Sequence, residues 1–178
     1  MPDEFKLNNE IFSLIGLKGE GLFSPEDFGI TPYFNCTACW RGYVMKYIIS
    51  EDQLVLDEMR VNVDDPPKIN DIEPMKEGDL FKYKYKNLNL KPFFTGKLLL
   101  AKDFIDSMYV HMGFQRPIAF KTVVEIHVKN GDINLFKDIS KEIEKERYRD
   151  PSKGAQPISK SKDDIEKWIE ETFSLEYD

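Results

Sequence analysis

With 178 residues, 41% of them hydrophobic and 32% charged, the chain has material for one domain with a core and lies outside the composition of disordered segments. A formal net charge of −7 excludes broad nucleic-acid binding, which needs a surplus of Lys and Arg against phosphate. No apolar run approaches the roughly 18 residues of a membrane helix and Met1-Pro2-Asp3-Glu4 opens no secretory leader, so a cytoplasmic setting without membrane contact is expected.

The first strand candidate is Ile11 to Leu17, and the glycines of Gly16-Leu17-Lys18-Gly19-Glu20-Gly21 predict a strand-connecting turn rather than a phosphate loop, because no lysine follows in register and no helix begins there. Cys36-Thr37-Ala38-Cys39 spaces two thiols as metal chelation or disulfide cycling requires. A zinc site needs two more ligands, however, and the two histidines, His111 and His127, form no compact second pair. A redox motif wants its second cysteine at a helix start, whereas Cys39 runs into Trp40-Arg41-Gly42-Tyr43 and a strand. Two partly buried thiols in a reducing compartment account for the pair, and neither metal nor cofactor is expected.

Trp40 to Val63 reads as a hairpin: β-branched and aromatic Tyr43 to Ile49, polar Ser50-Glu51-Asp52-Gln53, then Leu54-Val55-Leu56. Asp64-Asp65-Pro66-Pro67 ends it, since proline offers no ladder donor. Lys68 to Gly78 is a connection in which Ile69 to Glu73 begins a short helix, and Leu80 to Tyr85 resumes a period of two with alternate lysines, the mark of a wet edge. Phe94 to Leu100 is a further strand.

The strongest signal is the hairpin from Phe120 to Phe136. Phe120, Thr122, Val124, Ile126 and Val128 fall on one face, and Lys121, Val123, Glu125 and His127 on the other. Asn130-Gly131 then supplies the two positive φ angles of a type I′ turn. Beyond Phe136, mixed charge with Ile139 and Ile143 four apart predicts a solvated helix with a narrow apolar stripe. After a loop over 150–157, Ser161 caps an amphipathic C-terminal helix carrying Ile165, Trp168, Ile169 and Phe173. The expected architecture is mainly β (α+β), antiparallel hairpins forming a sandwich or partly open barrel. Residues 1–136 make the β domain, and 137–178 a charged helical extension packing on it.

Trp40-Arg41-Gly42-Tyr43 and Tyr109-Val110-His111-Met112-Gly113 together resemble a family of small, functionally uncharacterised bacterial proteins. In that family a WRGY segment leads a strand and a YVHMG segment precedes another strand and an NG turn. The resemblance spans Thr37 to Leu135 and implies this order of elements but no activity; the charged tail departs from it.

No nucleophile, base or metal set assembles from these residues. Asp64-Asp65 and Asp163-Asp164 are turn and helix-start residues. The expectation is a non-catalytic domain that binds a protein partner or supports an assembly. The alternative is a small-molecule or peptide binder, even an enzyme, whose pocket forms where Trp40, Arg41, Tyr43, Tyr109 and His111 converge, Arg41 offering a planar cation between aromatics. For each of these residues there is also a plain structural use: sheet packing for the aromatics, an internal ion pair for Arg41, a strand-end hydrogen bond for His111.

Overall fold

Two-residue turns set the strand lengths. In the structure, a computed structural model describing residues 1–78, 80–110, 114–149, 157, 159–173 and 175, β1 (Glu4–Leu7) meets β2 (Glu10–Glu20) through Asn8 and Asn9, at φ 49° and 66°. β3 (Tyr43–Ser50) meets β4 (Gln53–Val61) through Glu51 and Asp52, at φ 51° and 56°. β5 (Met75–Lys76), β6 (Tyr83–Tyr85) and β7 (Thr95–Phe104) follow. β8 (Phe120–Lys129) then turns into β9 (Asp132–Asp138) at Asn130 and Gly131, φ 52° and 81°, the type I′ geometry that the dipeptide predicts.

The order β3-β1-β2-β7-β8-β9-β4, with β4 paired back to β3, closes a seven-stranded barrel, and β6 and β5 extend outward from β4. Of the two expected architectures, the barrel is the one that forms, and it is closed rather than partly open. Every neighbouring pair is antiparallel except β1 with β3. Two local expectations are corrected. Gly16 to Gly21 is no turn: β2 runs on to Glu20, opposite Thr95, after a bulge between Leu14 and Gly16. Ile69 to Glu73 is no helix but a tight turn at Asn70-Asp71, with Ile69 and Ile72 exchanging main-chain hydrogen bonds of 3.2 and 2.9 Å.

Closure at the β9–β4 seam is narrow. Leu54 N–H donates to Gly131 O (2.9 Å) and Ile133 N–H to Asp52 O (2.7 Å), while Gly131 N–H donates to Phe94 O (2.9 Å). A Cβ on Gly131 would overlap the Pro92 carbonyl oxygen. The turn therefore needs glycine for its backbone angle and for the closeness of its neighbour.

Inside, Phe5, Phe12, Leu14, Met45, Tyr47, Leu54, Leu56, Met59, Val61, Leu98, Leu100, Val124, Ile126 and Val128 belong to one buried cluster. Side chains thus occupy the interior, as in small barrels generally. A second cluster lies outside the wall, where Ile15, Leu99, Ala101, Ala119, Phe120 and Val123 meet Ile139 and Ile143. The helix α1 (Ser140–Arg149) covers this patch. Ser140 Oγ accepts from Val123 N–H at 3.0 Å, and Arg147 donates to the carbonyls of Ile118 (2.6 Å) and Phe120. Strict alternation misplaced two residues here. Val123, read as polar-facing, is buried in this outer cluster, and Phe120 leaves the inner row for a ring contact with Phe104 at 5.3 Å. A covering helix makes the outer face a second core, and period two alone does not announce it. The last helix, α2 (Lys162–Phe173), is capped as expected, Asp164 N–H donating to Ser161 Oγ at 3.2 Å. Ile165 and Ile169 on it are exposed. Among the described residues no helix is long and apolar enough to cross a membrane.

Candidate functional site

The shortness of β1 creates an irregular corner of the barrel. Its first residue, Glu4, is opposite Ser13 of β2 and Lys46 of β3, so Leu17–Glu20 and Tyr43–Met45 run on without a β1 residue between them. Asp3, 8% exposed, stands at this point. Its carboxylate accepts the Met45 N–H (2.9 Å) and two N–H groups of Arg41 (Nη2 at 2.8 Å, Nη1 at 3.1 Å). A side chain here does what a longer β1 would do with its backbone. Arg41 also lies 4.6 Å above the Tyr43 ring and donates to Met1 O. Burial disfavours its charge, but Asp3 outweighs that and holds the guanidinium above its ordinary range. Burial likewise pushes the Tyr43 phenol up, with Arg41 opposing. Phe23, Phe28 and Leu175 pack against the inner cluster, to which Ile30 belongs. Phe23 N–H donates to the Tyr47 hydroxyl (3.0 Å) and Leu17 N–H to Leu175 O (2.6 Å).

From this corner rises the loop 33–42, tied at several points by main-chain bonds. Tyr33 N–H donates to Asn62 O (3.0 Å), Asn62 N–H to Gly42 O (2.8 Å), Gly42 N–H to Cys39 O (3.1 Å) and Cys39 N–H to Cys36 O (3.2 Å). The N-terminal ammonium donates to Ala38 O (2.8 Å) and the Cys39 thiol to Tyr43 O (3.2 Å). Asn62, 1% exposed, satisfies its side chain as well, donating to Leu80 O and accepting from Lys82 N–H. It thereby joins the end of β4 to both neighbouring loops. On this fixed frame Trp40 is 62% and Phe34 50% exposed, their rings stacked with centroids 5.0 Å apart. Leu80 and Met1, also exposed, belong to segments bonded to the same frame.

Of the residues singled out in the sequence, Trp40, Arg41 and Tyr43 come together with Cys36 and Cys39. Tyr109 does not join them. β3 and β7 run in the same direction, Arg41 precedes β3, and Tyr109 follows β7 after a 3-10 turn at Asp106–Met108, so the two lie off opposite ends of the wall. Tyr109 instead sets its ring edge-on to Phe104. His111 lies outside the described residues. An open depression of about 640 Å³, lined by Gly19, Glu20, Gly21, Phe93 and Thr95, contains none of Trp40, Arg41, Tyr43 and Tyr109. Cys36 is half-buried, Cys39 buried, and both are free thiols. Among the described residues no three His, Cys, Asp or Glu side chains cluster as metal ligands would. His127 stands on the outer face of β8 with Nε2 2.6 Å from Glu125 Oε1, a contact that holds the Glu125 carboxyl below its ordinary range.

Three residues of the corner escaped sequence reasoning. Asp3 bonds across 38 positions to Arg41 and carries no local signal. Phe34 sits in a loop without periodicity. Asn62 did leave a trace, a lone amide between Val61 and Val63 at the end of a strand. Comparison with protein-family models, with curated proteins and with solved structures found no match.

Proposed function

We propose that this chain is a non-catalytic binding module, working in the cytoplasm, that docks a protein partner through the face carrying Phe34 and Trp40. One observation carries the reading: two large aromatics stand in solvent on a loop whose backbone is tied down by the bonds to Asn62, Gly42 and Ala38. Exposed apolar side chains on a pre-ordered frame suit association, because little conformational freedom remains to be lost on binding. Trp, Tyr and Arg are also the residue types that dominate binding hot spots. The small-ligand alternative is weakened by Arg41, whose guanidinium is engaged by Asp3.

The test is capture from a native extract with the immobilised full chain, the double variant W40A/F34A and, as a control at another exposed aromatic, F93A. A specific protein held by wild type and F93A and lost with W40A/F34A supports the proposal. Identical captures by all three chains, or no specific capture, refute it.

A further inference from the structure

We propose that Cys36 and Cys39 are a reversible dithiol–disulfide site, oxidised by a low-molecular-weight disulfide of the glutathione class, in the turn that presents Trp40. The Cys39 N–H to Cys36 O bond of 3.2 Å makes residues 36 to 39 a hydrogen-bonded β-turn. Such a turn brings its first and last Cα within about 7 Å, and a disulfide spans Cα separations of roughly 4.4–6.8 Å. The two Cα atoms therefore stand at a separation that a disulfide can span, and closure asks Cys39 to turn its thiol away from Tyr43 O.

Their environments divide the roles. Cys36, half-buried, is the thiol a soluble disulfide reaches, while Cys39 is 2% exposed and its thiol donates to Tyr43 O. The Cys36 thiolate attacks the small disulfide, forming a mixed disulfide and releasing one glutathione thiolate. The Cys39 thiolate then attacks the Cys36 sulfur and expels the second. The two protons lost by the protein thiols go to the two leaving thiolates, and the protein loses two electrons to the oxidant. Closure removes the hydrogen bond to Tyr43 O and adds a covalent constraint one residue before Trp40. Its effect on docking rests on the function proposed above; the chemistry does not.

The experiment equilibrates the full chain in mixtures of oxidised and reduced glutathione, traps free thiols with iodoacetamide and reads the products by mass spectrometry, without any partner. Wild type should lose both free thiols and the mass of two hydrogens, with a single Cys36–Cys39 link that dithiothreitol reverses. C39S should stop at one glutathione adduct on Cys36, and C36S, which leaves the buried thiol in place, should stay unmodified. Thermal melts of both variants confirm that they are folded. A wild-type chain that keeps both thiols at every ratio, or yields only glutathione adducts or intermolecular links, overturns the proposal. So does retention of stoichiometric zinc with resistance to oxidation. Loss of capture in the W40A/F34A assay with no disulfide here refutes this site alone, and the reverse refutes the docking alone.

Discussion

The turn at Asn130-Gly131 and the corner at Asp3 complete the same barrel wall by opposite means. At the turn, backbone groups close the seam: Gly131 gives its carbonyl to Leu54 and its N–H to Phe94. At the corner, where β1 ends early, a buried carboxylate takes the Met45 N–H and binds Arg41 across 38 positions. The first device needs two adjacent residues, the second of them without a side chain. The second needs two distant residues whose charges must both be present.

The largest effect is expected where the backbone does the closing. G131A places a Cβ against the Pro92 carbonyl and asks alanine to hold φ 81°. We expect a loss of about 2–4 kcal/mol, since the left-handed conformation alone costs about 1–2 kcal/mol and the overlap adds to it. Melting should fall by roughly 5–10 °C, and a change under about 2 °C would show that the seam does not depend on this residue.

Next comes the corner. D3A leaves the Met45 N–H without its acceptor and the Arg41 guanidinium without its partner, at a cost of about 2–3 kcal/mol. The double-mutant cycle of D3A, R41A and their combination isolates the pair and should give a coupling of about 1–3 kcal/mol. Additive losses in chemical denaturation would mean that Arg41 is available to a ligand after all, reviving the pocket that the geometry weakens.

These two devices also explain what was legible in the sequence and what was not. Asn-Gly is a local instruction, so the β8–β9 hairpin was readable from four residues, though the bulge between His127 and Val128 was not. The turn at Glu51-Asp52 has the same positive φ angles without a glycine, so it was visible only as a polar gap. The barrel imposes the conformation there. Barrel closure itself rests on the meeting of β9 with β4 and of β1 with β3, pairings between segments far apart in sequence that no local pattern encodes. At the site, the WRGY segment stood out by composition and does lie at the corner. What Arg41 does was hidden, because its partner is the unremarkable third residue of the chain.

The seam also has a pH signature. Asp132 beside the turn accepts from Lys91 Nζ (2.6 Å) and Gln53 Nε2 (3.1 Å), and the Lys91 bond above all holds its carboxyl below the ordinary 3.8. A depressed folded value stabilises the fold above the unfolded value, and that contribution disappears as pH falls through the folded one. D132N should therefore melt slightly below wild type at neutral pH, and the two curves should converge as pH drops below 3.8. A constant gap down to strong acid would assign the effect of D132N to shape rather than charge.

The smallest effect on stability is expected at the most conspicuous residues. Phe34 and Trp40 stack on each other, half or more exposed, above a loop held by backbone bonds that neither ring makes. Removing both in W40A/F34A should shift folding free energy by no more than about 0.5–1 kcal/mol, the range for surface changes plus one exposed aromatic contact. Folding would then not explain why two large apolar rings are kept in water on an ordered frame, and association would. A loss above about 2 kcal/mol in the same denaturation experiment would put the stack among the contacts that hold the loop in place. In that case the docking face loses its main support, and the corner becomes structural in the same sense as the seam.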